Sequence, residues 1–134
     1  MEREDPADLV PYERALAEIE RTEGNDVLVA VVDGEVVGMC QLVVFRHLQS
    51  RGGRCAEIES MYVDATRRSE GIGGDLLAEA VRLAALAGCY RVQLTSNKVR
   101  ADAHRFYRRH GFVATHEGFK RDLEQPSPPD GPDS

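Results

Sequence analysis

Cysteine is scarce in this chain and comes in an odd number. Cys40, Cys55 and Cys89 show neither CxxC spacing nor any other metal-ligand pattern, which argues against a disulfide framework and a zinc site. They read instead as small buried hydrophobes in a reducing compartment. No apolar run approaches the roughly 20 residues that a bilayer-spanning helix requires, and the N-terminus lacks the shape of a secretory signal. Basic charge is not in excess: 17 Lys and Arg stand against 23 Asp and Glu, a formal net charge of −6. With no basic stripe either, a nucleic-acid backbone is disfavoured as a partner. These absences lead to the expectation of a cytoplasmic protein with neither membrane nor nucleic acid as its partner.

What is present is ordinary for a soluble folded domain. The 134 residues suffice for one domain with a core and are too few for two, and 42% of them are hydrophobic against 30% charged. Residues 124–134 hold four prolines and no large apolar side chain, so a disordered tail is expected there, leaving 1–123 as a single domain.

Periodicity and punctuation divide that domain. Residues 11–23 carry Leu16, Ile19 and several alanines among charges, with proline at the start, a helical pattern closed by Gly24. Residues 27–32 and 36–45 are apolar, β-branched runs separated by Asp33-Gly34, a strong hairpin signal. An exposed loop over 46–54 leads to a third strand over 55–63, which contains Glu57 and Glu59. Leu76, Leu77, Ala80, Val81, Leu83, Ala84 and Ala87 then recur at helical spacing until Gly88. A short strand over 91–95 follows, then a helix from Asp102, as N-cap, to His110, stopped by Gly111. Residues 112–123 read as one or two closing strands. This order predicts an α/β domain whose mixed sheet holds one parallel crossover.

The most informative stretch is Arg68-Ser69-Glu70-Gly71-Ile72-Gly73-Gly74, at the turn from the third strand into the central helix. Glycine lets a ligand approach the backbone closely. The first N–H groups of a helix lack intrahelical partners and carry the positive end of its dipole, which makes an anion site. Arg67 and Arg68 stand at its mouth, so the segment is suited to the phosphates of a cofactor. It is neither the GxGxxG dinucleotide fingerprint nor the GxxxxGK[ST] nucleotide loop.

The turn resembles instead the GNAT superfamily of acyl-coenzyme A N-acyltransferases, whose Gln/Arg-x-x-Gly-x-Gly/Ala signature matches Arg68, Gly71 and Gly73. Two further segments resemble the same family in order and spacing. One runs from Ala103 through Phe106 and Tyr107 to Gly111 and Phe112, like the family's A-x-x-F-Y-x-x-x-G-F helix. The other is Ile58-Glu59-Ser60-Met61-Tyr62-Val63, like the strand that carries the acyl thioester. The resemblance implies a twisted mixed sheet flanked by helices. Residues 1–10 are too short and polar to supply the strand and helix that precede this point in the family, so its N-terminal strand is expected to be missing or shortened. Many relatives also place an asparagine seven residues before the tyrosine; this chain has Arg100 there, with Asn97 nearby.

The function implied by the resemblance is acetyl transfer from acetyl-CoA, as cosubstrate and without a metal, to a primary amine of a small molecule by direct attack in a ternary complex. A protein or peptide acceptor, and a non-catalytic coenzyme A-binding module, are the alternatives. The backbone of Met61, Tyr62 and Val63 would meet the pantetheine arm, with an N–H near Met61 polarising the carbonyl. Arg67, Arg68, Ser69, Glu70, Gly71, Ile72, Gly73 and Gly74 would hold the pyrophosphate. Tyr107 would protonate the leaving thiolate or hydrogen-bond its sulfur, and Ser96 and Asn97 would contact the pantetheine or cap the next helix. Read from the residues themselves, Glu59 and then Glu57 are base candidates, because a carboxylate in an apolar strand is desolvated. Their spacing of two puts them on one strand face, either at a site or in solvent. His104 and His110 rank below them. A homodimer through the C-terminal edge of the sheet is a further expectation.

Overall fold

The computed structural model describes residues 9–124. The expected tail, apart from Glu124, and residues 1–8 lie outside the described residues.

Helix α1 (Val10–Arg21) begins with proline in its first turn and ends just before Thr22, whose hydroxyl donates to Glu18 O. Glu13 in the first turn and Arg21 in the last complement the helix dipole. Strands β1 (Asn25–Val32) and β2 (Glu35–Arg46) form a hairpin. Its two turn residues, Asp33 and Gly34, both take positive φ (50° and 79°), as a type I′ turn demands. The loop after β2 holds only one interrupted turn, α2 (Gln49–Gly52), in which Ser50 and Arg51 leave the helical region.

Strand β3 (Arg54–Val63) runs antiparallel to β2, and a 3-10 helix (Ala65–Glu70) leads from it into α3 (Ile72–Leu86). Gly88, with φ 81°, reverses the chain into β4 (Cys89–Gln93). β4 pairs in parallel with β3, completing a mixed sheet of order β1-β2-β3-β4. α4 (Ala101–Arg109) then ends before Gly111, where φ is 89°.

The core lies between the sheet and α3. Leu42 and Ile58 from the strands meet Leu76, Leu77, Ala80 and Ala84 from the helix, with Phe106 and Tyr107 of α4 packed at the edge. Burial of such side chains stabilises the fold by about 1.5–3 kcal/mol each. Cys40 and Cys55 are buried, and all three cysteines are free thiols. Among the described residues no helix is long and apolar enough to cross a membrane.

Three expectations are corrected. Residues 112–123 form no strand. Beyond Phe112, which packs at the core edge, their large apolar side chains point into solvent (Val113 is 78% and Phe119 91% exposed), so a ladder there would bury little apolar surface. Asp102 is not the N-cap of α4: Arg100 takes that position without a side-chain cap, and Asp102 sits in the first turn facing the helix dipole. The turn after β3 is not a simple strand-to-helix reversal, since the 3-10 helix intervenes, with Asp64 accepting from Thr66 N (2.9 Å) and Thr66 Oγ1 (2.8 Å). Among the described residues the outer edge of β1 carries no partner strand; the expectation of a missing or shortened N-terminal strand falls on residues 1–10, most of which lie outside the described residues.

Candidate active site

A cleft opens where β3 and β4 part. Their parallel pairing stops at Glu57 opposite Gln93, while β3 continues to Val63. Over Ile58–Val63 the strand keeps β2 on one side and, among the described residues, has no strand on the other. The backbone N–H and C=O groups of that edge are therefore open to an extended ligand.

The same stretch is bulged. Met39 faces Tyr62 and Gln41 faces Glu59, so Cys40 stands opposite two residues, Ser60 and Met61. Ser60 takes φ 55°, a left-handed conformation uncommon for a residue with a side chain. The extra residue changes the phase of the strand. Ile58 before the bulge and Met61 and Val63 after it all pack toward the α3 core, while Glu57 and Glu59 lie on the opposite face.

At the end of the cleft α3 presents its N-terminus. Gly71 is its N-cap with φ 81°, and nothing lies within 4 Å of where its Cβ would stand. The first intrahelical bond runs from Asp75 N to Gly71 O (3.1 Å), so the N–H groups of Ile72, Gly73 and Gly74 precede the ladder. Gly73 and Gly74 do a second job. A Cβ on Gly73 would sit 3.0 Å from Phe106 Cζ, and one on Gly74 would sit 2.8 Å from His110 Cε1. They let α4 close against α3. Of the remaining turn residues, Arg67 pairs with Glu70 at 3.2 Å, and Arg68 makes a long contact to Val63 O (3.5 Å). Ser69 lies exposed between them.

Tyr107 stands on α4 and packs against the core cluster. Its ring packs edge-on against Phe106 (centroids 5.4 Å apart) and Phe112 (6.2 Å). Burial pushes its phenol above the usual value; Arg100 pulls it down and nearby Cys40 raises it. The two histidines of α4 have structural partners: His104 Nε2 lies 2.9 Å from Asn97 O, and His110 packs over Gly74 and against Phe106. Asn97 also accepts from Val99 N through Oδ1 (3.1 Å), shaping the lead-in to α4. Ser96 Oγ, just before it, is buried without a hydrogen-bond partner.

On the far face of the sheet Glu57 accepts from Gln93 Nε2 at 3.0 Å. The Glu59 carboxyl is raised, first by burial, then by the charge of Glu57 and a hydrogen bond to it, with Lys120 opposing. Its side chain remains open to solvent on one side. Among the described residues no group of three or more His, Cys, Asp and Glu gathers in a metal-binding arrangement.

These elements have known counterparts. The model of the family described as Acetyltransferase (GNAT) family matches residues 2–112. The chain belongs to the GNAT acetyltransferase family. It is 39% identical over 94 residues to the aminoalkylphosphonate N-acetyltransferase of Salmonella typhimurium strain LT2, covering 70% of this chain and 60% of that protein. To the glucosamine 6-phosphate N-acetyltransferase of Trypanosoma brucei brucei it is 32% identical over 91 residues, covering 67% and 59%. The chain thus spans about three fifths of the length of these curated relatives. Among solved structures, a transcriptional regulator from Bacillus halodurans C-125 shares 38% identity with a TM-score of 0.86, over 91% of this chain and 81% of that one.

The GNAT match takes in β1 through α4 and ends at Phe112, so every element lining the cleft falls within it. Three participants escaped the sequence reading. Ser60 bears no local signal for a positive φ. Gln93 joins Glu57 only through a parallel register, and Lys120 approaches Glu59 from a segment read as strand. Cys40 was read as core filler, which it is, but it also marks the residue facing the bulge.

Proposed function

We propose that this chain transfers an acetyl group from acetyl-CoA to the primary amine of a small molecule, by direct attack in a ternary complex. The observation that carries the reading is the bulged, unpaired edge of β3 leading to the N-terminus of α3. The names of the two relatives, N-acetyltransferases of an aminoalkylphosphonate and of glucosamine 6-phosphate, support a small amine as acceptor.

The residues present fit the cosubstrate. The free space over Gly71 and the N–H groups of Ile72, Gly73 and Gly74 suit a pyrophosphate, with Arg68 and Arg67 beside them. Ser69 and Glu70 contribute backbone to the same turn. The edge of Met61, Tyr62 and Val63 suits an amide-bearing arm, and the buried, unpartnered Ser96 Oγ offers it a hydrogen bond. Asn97 supports that end by fixing the turn into α4. When bound, acetyl-CoA supplies the acyl group and a thiolate leaving group.

The chain's own groups do the rest. An N–H at the bulge near Met61 polarises the acyl carbonyl. Glu59 takes a proton from the acceptor ammonium, whose ordinary pKa near 10 keeps it charged at neutral pH. Glu57 stands behind Glu59 as its partner. Tyr107 holds a proton on its phenol, since burial keeps that group neutral, and delivers it to the sulfur. A cytoplasmic enzyme without nucleic-acid or membrane partners belongs to the same reading, and the acidic composition supports the first of those two exclusions. A homodimer is tested by sedimentation.

Calorimetric titration with acetyl-CoA and coenzyme A, for the wild type and Gly71→Trp, tests the reading. Binding abolished by the substitution, followed by turnover on an amine panel, supports it. Binding without turnover on free amines or peptides makes the chain a coenzyme A-binding module. Turnover on peptides alone moves the acceptor to protein, and no binding overturns the proposal.

A further inference from the structure

The carboxyl pair of β3 is flanked by two glutamines whose amides are used differently. Gln93 lies opposite Glu57 on the last rung of the β3/β4 pairing and donates to its Oε2 at 3.0 Å. Gln41 lies opposite Glu59 on β2, yet its amide nitrogen is directed to Asn25 Oδ1 at 2.7 Å. One carboxylate is therefore held by an amide donor, and the other has its neighbour's amide turned away.

We propose that Gln93 is a positioning residue for this pair: its amide, donating to Glu57 Oε2 at 3.0 Å, fixes the orientation in which the Glu57 carboxyl stands beside Glu59. The inference rests on the reading of Glu59 as the base.

An N–H donor fixes the position of the carboxylate oxygen it meets, so the Gln93 contact holds the Glu57 carboxyl in place on its rung. A fixed negative charge two residues away on the same strand face then favours the protonated form of Glu59. The groups facing Glu59 divide clearly. Its own strand contributes Glu57, β2 the neutral Gln41, and the segment after α4 the cation Lys120, while the neutral Gln93 of β4 stands opposite Glu57. Burial and Glu57 together prevail over Lys120, and the carboxyl is raised. A base whose affinity for protons approaches the working pH accepts one from an ammonium more readily than an ordinary carboxylate. Gln93 acts on that affinity through Glu57, without touching the acceptor itself.

The test needs no acceptor. The full chain, labelled with 13C at the glutamate carboxyl carbon, is titrated by NMR as wild type, Gln93→Met and Glu57→Gln. Gln93→Met retains length and removes the donor. It is expected to lower the Glu59 midpoint by about half a pH unit, because the neighbouring carboxyl is no longer held beside it. Glu57→Gln is expected to lower the Glu59 midpoint as well. A Glu59 midpoint unmoved by Gln93→Met in a folded protein overturns the proposal. So does an unmoved midpoint in Glu57→Gln, which remains informative if Gln93→Met does not fold. The base reading fails separately, if Glu59→Gln retains acetyl transfer, and the titrations stand apart from that result.

Discussion

Gly73 lies against the Cζ end of the Phe106 ring, where a Cβ would approach Phe106 Cζ to 3.0 Å and Val63 Cγ2 to 3.6 Å. The glycines of the turn therefore divide by task. Gly71 supplies a left-handed N-cap over open space, and Gly73 and Gly74 supply the close approach of α4 to α3. Gly73→Ala and Gly74→Ala are expected to destabilise the fold by about 1–3 kcal/mol through overpacking. Gly71→Ala meets no neighbour and carries only the strain of its positive φ, about 1–2 kcal/mol. Denaturant unfolding of the three variants, followed by acetyl-CoA titration, separates the roles. Equal behaviour at all three positions would overturn the division.

Where local chemistry dictates the backbone, the sequence was enough. Asp33-Gly34, Gly88 and Gly111 mark turns because their conformations call for residues that tolerate positive φ, and all three appear where expected. Of the helically spaced residues, Leu76, Leu77, Ala80 and Ala84 became the buried face of α3, whereas Val81 is 42% exposed. Features set by partners distant in sequence were not legible. The bulge at Ser60 depends on how β3 registers with β2, and it moves Met61 to the core face. The contact of Gln93 with Glu57 spans 36 residues and exists only through the parallel rung. Residues 112–123 misled for the opposite reason. Val113, Phe119 and Leu123 suggest a strand, but a strand forms only where a ladder and an apolar surface await it, and these side chains stand in solvent.

The helix that carries the turn rests on Leu77, which is 1% exposed and packs within the central cluster. Leu77→Ala is expected to cost about 3 kcal/mol by leaving a cavity under α3. The denaturant midpoint should fall with little change in slope. A loss under 1 kcal/mol would mean that α3 does not anchor the sheet as described.

Tyr107 is held by Phe106 and Phe112, so removing its hydroxyl leaves its packing intact. Tyr107→Phe is expected to reduce turnover by about 10²-fold or more, with little change in acetyl-CoA affinity or stability. Steady-state kinetics paired with calorimetry measure both. Unchanged turnover would remove Tyr107 as the proton donor and leave it an aromatic member of the core edge.

Glu59 and Asp64 should give opposite pH dependences of stability. The Glu59 carboxyl is raised in the folded chain, so its contribution is fully present below the unfolded value, about 4.3, and is lost as pH rises through the folded one. Glu59→Gln has no proton to lose, and its stability should gain on the wild type between pH 4 and pH 7. Asp64 is lowered by its bonds from Thr66, so its contribution is present above the unfolded value, about 3.9, and is lost as pH falls through the folded one. Asp64→Ala should therefore fall below the wild type at neutral pH and converge with it in acid. Chemical denaturation across that range reads both trends. A pH-independent gap for Glu59→Gln would mean that folding does not change the proton affinity of Glu59, and it would remove the physical basis for choosing this carboxylate as the base.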